Sequence, residues 1–151
     1  MLRDYLTQDT VQFAHDVEGW RQAIDQLATP LLENGAITAD YIQAMKDSIA
    51  AGGTYIDLGF GIALAHSRPE NGVVRTGLSS LRVTPPVLLN DEPSHPIDLF
   101  LCLAAPDKSG HLATMKELAQ LLVNEEQRTN LLAATTPAET LAVIENIGAH
   151  K

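Results

Sequence analysis

The chain has 151 residues, with ten Lys and Arg against nineteen Asp and Glu, a formal net charge of −9. That length fits a single domain spanning residues 1–151, and that balance excludes nucleic acid as a partner, because phosphate contacts need clustered Lys and Arg. A 45% hydrophobic share permits a core and excludes global disorder, while the longest stretches without a charged side chain, Leu58–Ser67 and Thr129–Ala138, fall short of the roughly 18 apolar residues of a membrane helix.

Val11–His15 is a short, partly alternating strand signal. Trp20, Ala23, Ile24, Leu27 and Leu31 recur at helical spacing and stop at Asn34-Gly35, with Pro30 inside the pattern to kink the helix or remove one hydrogen bond. Thr38 caps a second helix carrying Tyr41, Met45 and Ile49 on one face and ending at Gly52-Gly53. Four strand signals follow, Tyr55–Leu58, Gly61–Ala65, Gly77–Val83 and Ile97–Leu103, punctuated by glycines and prolines. The last is almost wholly apolar, as a strand covered on both faces is. Helices then return: one with Leu112, Met115, Ala119 and Leu122 on a face, a short one at Leu131-Leu132, and a third opened by Thr136-Pro137-Ala138-Glu139 and continued by Leu141, Ile144 and Ile147 or Gly148. Helices on both sides of a strand cluster predict an α/β fold, a three-layer α/β/α sandwich. Connections inside the cluster are too short for helical crossovers, so its central sheet is mixed.

The N-terminus shows no basic stretch followed by an apolar run, which leads us to expect a cytoplasmic protein without direct membrane insertion. Cys102 is the only cysteine, excluding an internal disulfide and a thiolate cluster; inside an apolar strand it reads as a small buried hydrophobe. Neither a nucleophile elbow nor a phosphate-binding glycine loop is present, and Gly59-Phe60-Gly61 reads as a turn. Five histidines remain. His66 ends an apolar strand and precedes the turn formers Ser67–Gly72, a strand's carboxyl edge where α/β proteins place reactive groups. From position alone, a histidine that merely bonds its own turn is the better reading. His111 follows the loop Asp107–Gly110 and opens a helix, where backbone N–H groups favour an anion; a solvent-facing residue is the alternative. His95, between prolines, and His150, at the terminus, read as solvated, and His15 has no evident partner. A zinc site on His66 and His111 lacks a third ligand, so no metal or cofactor is expected.

Gly61-Ile62-Ala63-Leu64-Ala65-His66, after Gly53-Thr54-Tyr55 and before Arg68-Pro69, resembles the phosphohistidine signature of the mannitol/fructose-type (type 2) enzyme IIA of the bacterial phosphoenolpyruvate-dependent sugar phosphotransferase system. Trp20–Ile24, Gly35–Ile37 before Tyr41–Met45, Val73–Gly77, Leu103–Ala105 with His111, and Leu118–Leu122 match in the same order. The likeness runs from about Trp20 to Ile144, and His66–Glu70 with Gly72-Val73 is most similar to the ascorbate-type branch, which also includes mannitol- and pentitol-related components.

The resemblance implies a phosphotransferase and phosphocarrier of sugar uptake. The carrier protein HPr would phosphorylate His66, which would pass the group to a cysteine of a IIB component, the sugar being phosphorylated later during transport through the membrane permease IIC. Imidazole suits this because it is nucleophilic near neutral pH and forms a covalent phosphoryl intermediate. His111 carries over as the second active-site histidine, donating to phosphoryl oxygens. Three features depart from the family pattern: Ala65 replaces the usual proline before the histidine, Ser48 stands about where the mannitol-like branch has an arginine, and Lys108 sits in the loop before His111. Arg68 is the candidate replacement for the missing cation, with a solvated arginine as the alternative. Docking of two partners through one face implies a modest apolar patch, for which Leu64 and Phe60 are candidates, with a core position equally open for both. A regulatory relative acting through its phosphorylation state, or an interaction module without phosphotransfer, would keep the same fold.

Overall fold

The computed structural model describes residues 2–149, so His150 lies outside it. Five strands form one mixed sheet: β1 (Val11–His15), β2 (Asp57–Gly59), β3 (Ile62–Ala65), β4 (Gly77–Leu88) and β5 (Pro96–Ala104), in spatial order β1-β4-β5-β3-β2. β1 runs parallel to β4 and β3 parallel to β5, whereas β4–β5 and β2–β3 are antiparallel. The expected mixed three-layer α/β/α sandwich is what forms, with α1 (Trp20–Glu33) and α2 (Ala39–Ala50) on one face, and α3 (Lys108–Val123), α4 (Glu125–Ala133) and α5 (Pro137–Ala149) on the other.

Period-two alternation on the central strands explains the two faces. Along β5, Leu99, Leu101 and Leu103 join the cluster under α3 and α5, while Phe100, Cys102 and Ala104 join the cluster under α1 and α2. β3 splits the same way, Ile62 and Leu64 against Ala63 and Ala65. Each large side chain so enclosed contributes about 1.5–3 kcal/mol of burial. The residues facing α2 here are small, which lets that helix approach closely: Met45 Sδ stands 3.8 Å from Cys102 Sγ, and Tyr41 is fully enclosed.

Several expectations shift in detail. Thr54–Ile56 forms a 3-10 turn, leaving only Asp57–Gly59 as strand, because its hydrogen bonds close locally. β4 extends through Pro85-Pro86 to Leu88, where the ladder register to β5 shifts. α1 runs past Pro30 to Glu33, since a proline one turn from the end removes a single bond. On α3 the buried row is Thr114, Leu118 and Leu121 with Leu122, whereas Leu112 and Ala119 are exposed. Thr38 occupies the N-cap position of α2 without a side-chain cap bond. At α5, Thr136 Oγ1 accepts from the Glu139 N–H at 3.2 Å as a capping box requires, but the Glu139 carboxylate turns back to the N–H and hydroxyl of Thr135.

The segment after β3 is held against α2. Thr38 N–H donates to the Gly72 carbonyl at 2.9 Å, and Ile37 and Val73 make an isolated antiparallel bridge. Gly72 has φ 135°, and a Cβ there would meet Thr38 Oγ1 and stand 3.0 Å from the Tyr41 backbone nitrogen. Gly72→Ala is therefore expected to lower stability by about 1–3 kcal/mol, read as a lower urea midpoint; an unchanged midpoint contradicts this close packing.

Candidate functional site

Beyond the carboxyl ends of β3 and β5, the two parallel strands at the centre of the fold, lies a cavity of about 520 Å³ whose lining includes His66, Arg68, Lys108, His111, Ser48 and Tyr55. Each histidine arrives there by a short chain of causes. β3 ends at Ala65, so His66 is the first residue off the strand, and the alternation that sends Ile62 and Leu64 toward α3 continues to it. β5 ends at Ala104, and Asp107 N-caps α3 by accepting from the Gly110 N–H at 2.7 Å. His111 is the fourth residue of that helix, its own N–H bonded to the Asp107 carbonyl at 3.2 Å. It is thus a helix residue facing the cavity, and its backbone N–H is already used within the first turn.

The two imidazole centroids stand 5.8 Å apart, their planes tilted by 53°, and the Tyr55 ring lies edge-on to His66 at 6.3 Å. His66 Nδ1 is 2.9 Å from the Leu64 carbonyl. A carbonyl can only accept, so Nδ1 carries the proton and Nε2 keeps the lone pair. The bond to its own turn, which the sequence left open as a purely structural role, also selects the tautomer with a nucleophilic Nε2. Burial first, and the neighbouring His66 second, hold the His111 pKa below the ordinary imidazole value, favouring its neutral form.

The loop carrying His66 is fixed from two sides. The Tyr41 hydroxyl accepts the Ser67 N–H at 2.9 Å and donates to the Leu103 carbonyl at 2.7 Å, and Asn71 Nδ2 donates to Ser67 Oγ at 2.9 Å. Burial, and then the nearby Cys102, raise the Tyr41 pKa and keep the hydroxyl protonated. From periodicity Tyr41 reads as an apolar face residue; a phenol whose partners lie across the fold has no local signature. Cys102, fully enclosed, has its thiol pushed up to about 12 by burial, so it is neither exposed nor ionised.

Arg68 and Lys108 are exposed cations on the cavity wall, and Ser48, half-buried, lines it as well. The cavity thus brings together all three residues singled out from the sequence, His66, His111 and Arg68. It does not include Leu64, which is buried, so that of its two readings the core position holds and the docking patch does not. Phe60 is exposed, but at the opposite end of β3 and beneath the Arg128 guanidinium, 3.7 Å from its ring centre. His95 is not simply solvated: its Nδ1 is 2.8 Å from Asp57 Oδ2, across the start of β5. His15 is exposed at the end of β1. Among the described residues, no group of three His, Cys, Asp or Glu could hold a metal ion.

Comparison with known proteins adds the following. Residues 4–147 match the family model described as phosphoenolpyruvate-dependent sugar phosphotransferase system, EIIA 2. The chain is 35% identical over 145 residues to the mannitol-specific cryptic phosphotransferase enzyme IIA component of Escherichia coli (strain K12), covering 95% of this chain and 97% of that protein. It is 29% identical over 150 residues to the ascorbate-specific PTS system EIIA component of the same organism, covering 98% and 97%. The solution structure of the Escherichia coli mannitol-specific cryptic enzyme IIA superposes with a TM-score of 0.89 at 33% identity, covering 96% of this chain and 98% of that one.

A proton-resolved titration of the two rings checks the electrostatics. His111 is expected to titrate below an ordinary imidazole, and His66→Gln should recover only the smaller part of the shift, because burial is the larger cause. An ordinary or raised midpoint for His111 contradicts the geometry.

Proposed function

The chain belongs to the EIIA type 2 family of the phosphoenolpyruvate-dependent sugar phosphotransferase system, and on that footing we propose that it carries a phosphoryl group on Nε2 of His66 between HPr and a IIB component. The observation that supports this most is the pairing of the two imidazoles in one open cavity, with the Leu64 carbonyl holding the proton on Nδ1 of His66.

In the forward step the lone pair of Nε2 attacks phosphorus on phospho-HPr. A P–N bond forms at His66 as the donor's P–N bond breaks, and the donor's electron pair returns to its own ring. Positive charge grows on the His66 imidazole, and its Nδ1–H, bonded to Leu64, shares that charge with a carbonyl dipole. In the second step a IIB cysteine thiolate attacks the same phosphorus, and the P–N bond's electrons return to Nε2. Both steps move a group whose three oxygens carry dispersed charge, so the site contributes alignment and charge stabilisation. His111, held neutral, offers one N–H to a phosphoryl oxygen across the 5.8 Å separation of the rings. It need not lose a proton to do so.

The arginine of the mannitol-like branch is absent at Ser48, and Arg68 supplies the cation instead. Both residues line the cavity, and a guanidinium pairs with two phosphoryl oxygens at once. Ala65 in place of the proline costs little rigidity, because the residue is fully enclosed and paired with Cys102 in the β3–β5 ladder. HPr and IIB dock in turn over the cavity mouth, where Tyr55 is exposed, and IIC is reached only through IIB. The chain then acts in the cytoplasm with no cofactor; among the described residues no helix is long and apolar enough to cross a membrane.

Labelled phosphoenolpyruvate, enzyme I and HPr should place acid-labile, alkali-stable label on the protein. His66→Ala should abolish labelling while the fold survives. His111→Ala should remain labelled but pass the group on roughly 10²-fold more slowly, and Arg68→Ala should slow at least one of the two steps about tenfold. Label that persists in His66→Ala moves the nucleophile elsewhere, and wild-type rates in the other two variants remove His111 and Arg68 from the site.

A further inference from the structure

The β3–β5 ladder stops one rung early, and a side chain occupies the missing rung. Ile62–Ala65 pair with Leu99–Cys102 in parallel register. The Leu99 N–H donates to the Gly61 carbonyl at 3.0 Å, which sets the phase: rungs in a parallel pair alternate between strands every two residues. Carried forward, that phase would join the Ser67 N–H directly to the Leu103 carbonyl. These are the two groups that the Tyr41 hydroxyl links, accepting from one at 2.9 Å and donating to the other at 2.7 Å. The hydroxyl has a single proton, so its longer approach of 3.4 Å to the Ser67 carbonyl does not compete.

We propose that the Tyr41 hydroxyl is a spacer inserted into this ladder, a positioning residue that holds the carboxyl ends of β3 and β5 apart and so fixes the gap between His66 and His111. β5 cannot be the strand that yields, because it stays paired with β4 as far as Ala104 opposite Gly77. The strand that departs is β3, and His66 is the first residue beyond it. One bridging oxygen replaces a direct N–H···O contact of about 2.9 Å with two successive bonds, opening the crevice into which both imidazoles face. The approach from α2 is possible because Ala63, Ala65, Cys102 and Ala104 leave the sheet face low beneath that helix. Without the hydroxyl, a half-buried N–H and a buried carbonyl, aligned by the ladder below them, would close onto each other, since leaving the carbonyl unpaired is the costlier outcome.

Tyr41→Phe removes one oxygen and tests this. The variant is expected to protect the Ser67 amide from solvent exchange through the direct rung, and to move the His111 titration midpoint further down as the rings approach and their mutual repulsion grows. Phosphoryl transfer through His66 should fall at least about tenfold, as misplacement on the ångström scale does. Ile49→Val, a loss of one methyl group in the buried face of the same helix, should leave rate and midpoint as they are and separates positioning from simple destabilisation. If Tyr41→Phe fails to fold, the unaltered protein still decides the matter: its Tyr41 hydroxyl proton should exchange slowly and correlate with the Ser67 amide. A midpoint that stays or rises in Tyr41→Phe, a rate that does not fall, or a rapidly exchanging Tyr41 hydroxyl in the unaltered protein overturns the proposal. Only the rate rests on the phosphocarrier reading, so a protein that accepts no phosphoryl group at all defeats that reading and leaves the titration and exchange results to judge Tyr41.

Discussion

Two parallel strands lying side by side set the terms for everything else. Because β3 and β5 run in the same direction and are neighbours in the sheet, their carboxyl ends open on the same edge of the molecule, and the residues that follow them meet. His66 comes directly off one strand, and His111 comes off the other after a short loop and one helical turn. Had the pair been antiparallel, the two imidazoles would stand at opposite ends of the sheet. The layers on either face serve this arrangement: leucines under α3 and α5 fix the sheet from one side, while small residues on the other let α2 reach the strand ends through Tyr41.

Charge at the site runs against the charge of the chain. The protein carries a formal −9, yet the cavity holds Arg68, Lys108 and two imidazoles, and its one carboxylate, Asp107, is engaged with the Gly110 N–H. An anion entering there meets donors and cations near at hand and net repulsion from farther off. Such a balance suits a group that must arrive and leave, since a deeper positive well would bind a phosphoryl group too firmly to release it. Exposure of both long cations weakens them in the same sense.

Much of this was legible in the sequence, and the parts that were not have a common cause. The strands at Val11–His15 and Ile97–Leu103, the helix from Trp20 to Glu33, and His66 at a strand's end follow from periodicity and turn residues, which are local. The same local reading leaves Leu64 open between a docking patch and the core, because a four-residue strand buried on both faces looks like any short apolar run. It puts Leu112 in the core of α3, because the hydrophobic spacing there supports two faces, and only packing against the sheet selects Leu118 and Leu121. The bonds of Tyr41 to Ser67 and Leu103 and the pairing of His95 with Asp57 join residues 26 to 62 positions apart. No window of the sequence contains them.

In the proposed relay, one nitrogen of one ring carries the phosphoryl group. With ring-15N-labelled histidine and phosphorylation by HPr, phosphorus–nitrogen coupling identifies the bonded atom directly. Coupling to Nε2 of His66 alone is expected, with Nδ1 still protonated against the Leu64 carbonyl. Coupling to Nδ1 of His66, or to any nitrogen of His111, contradicts it.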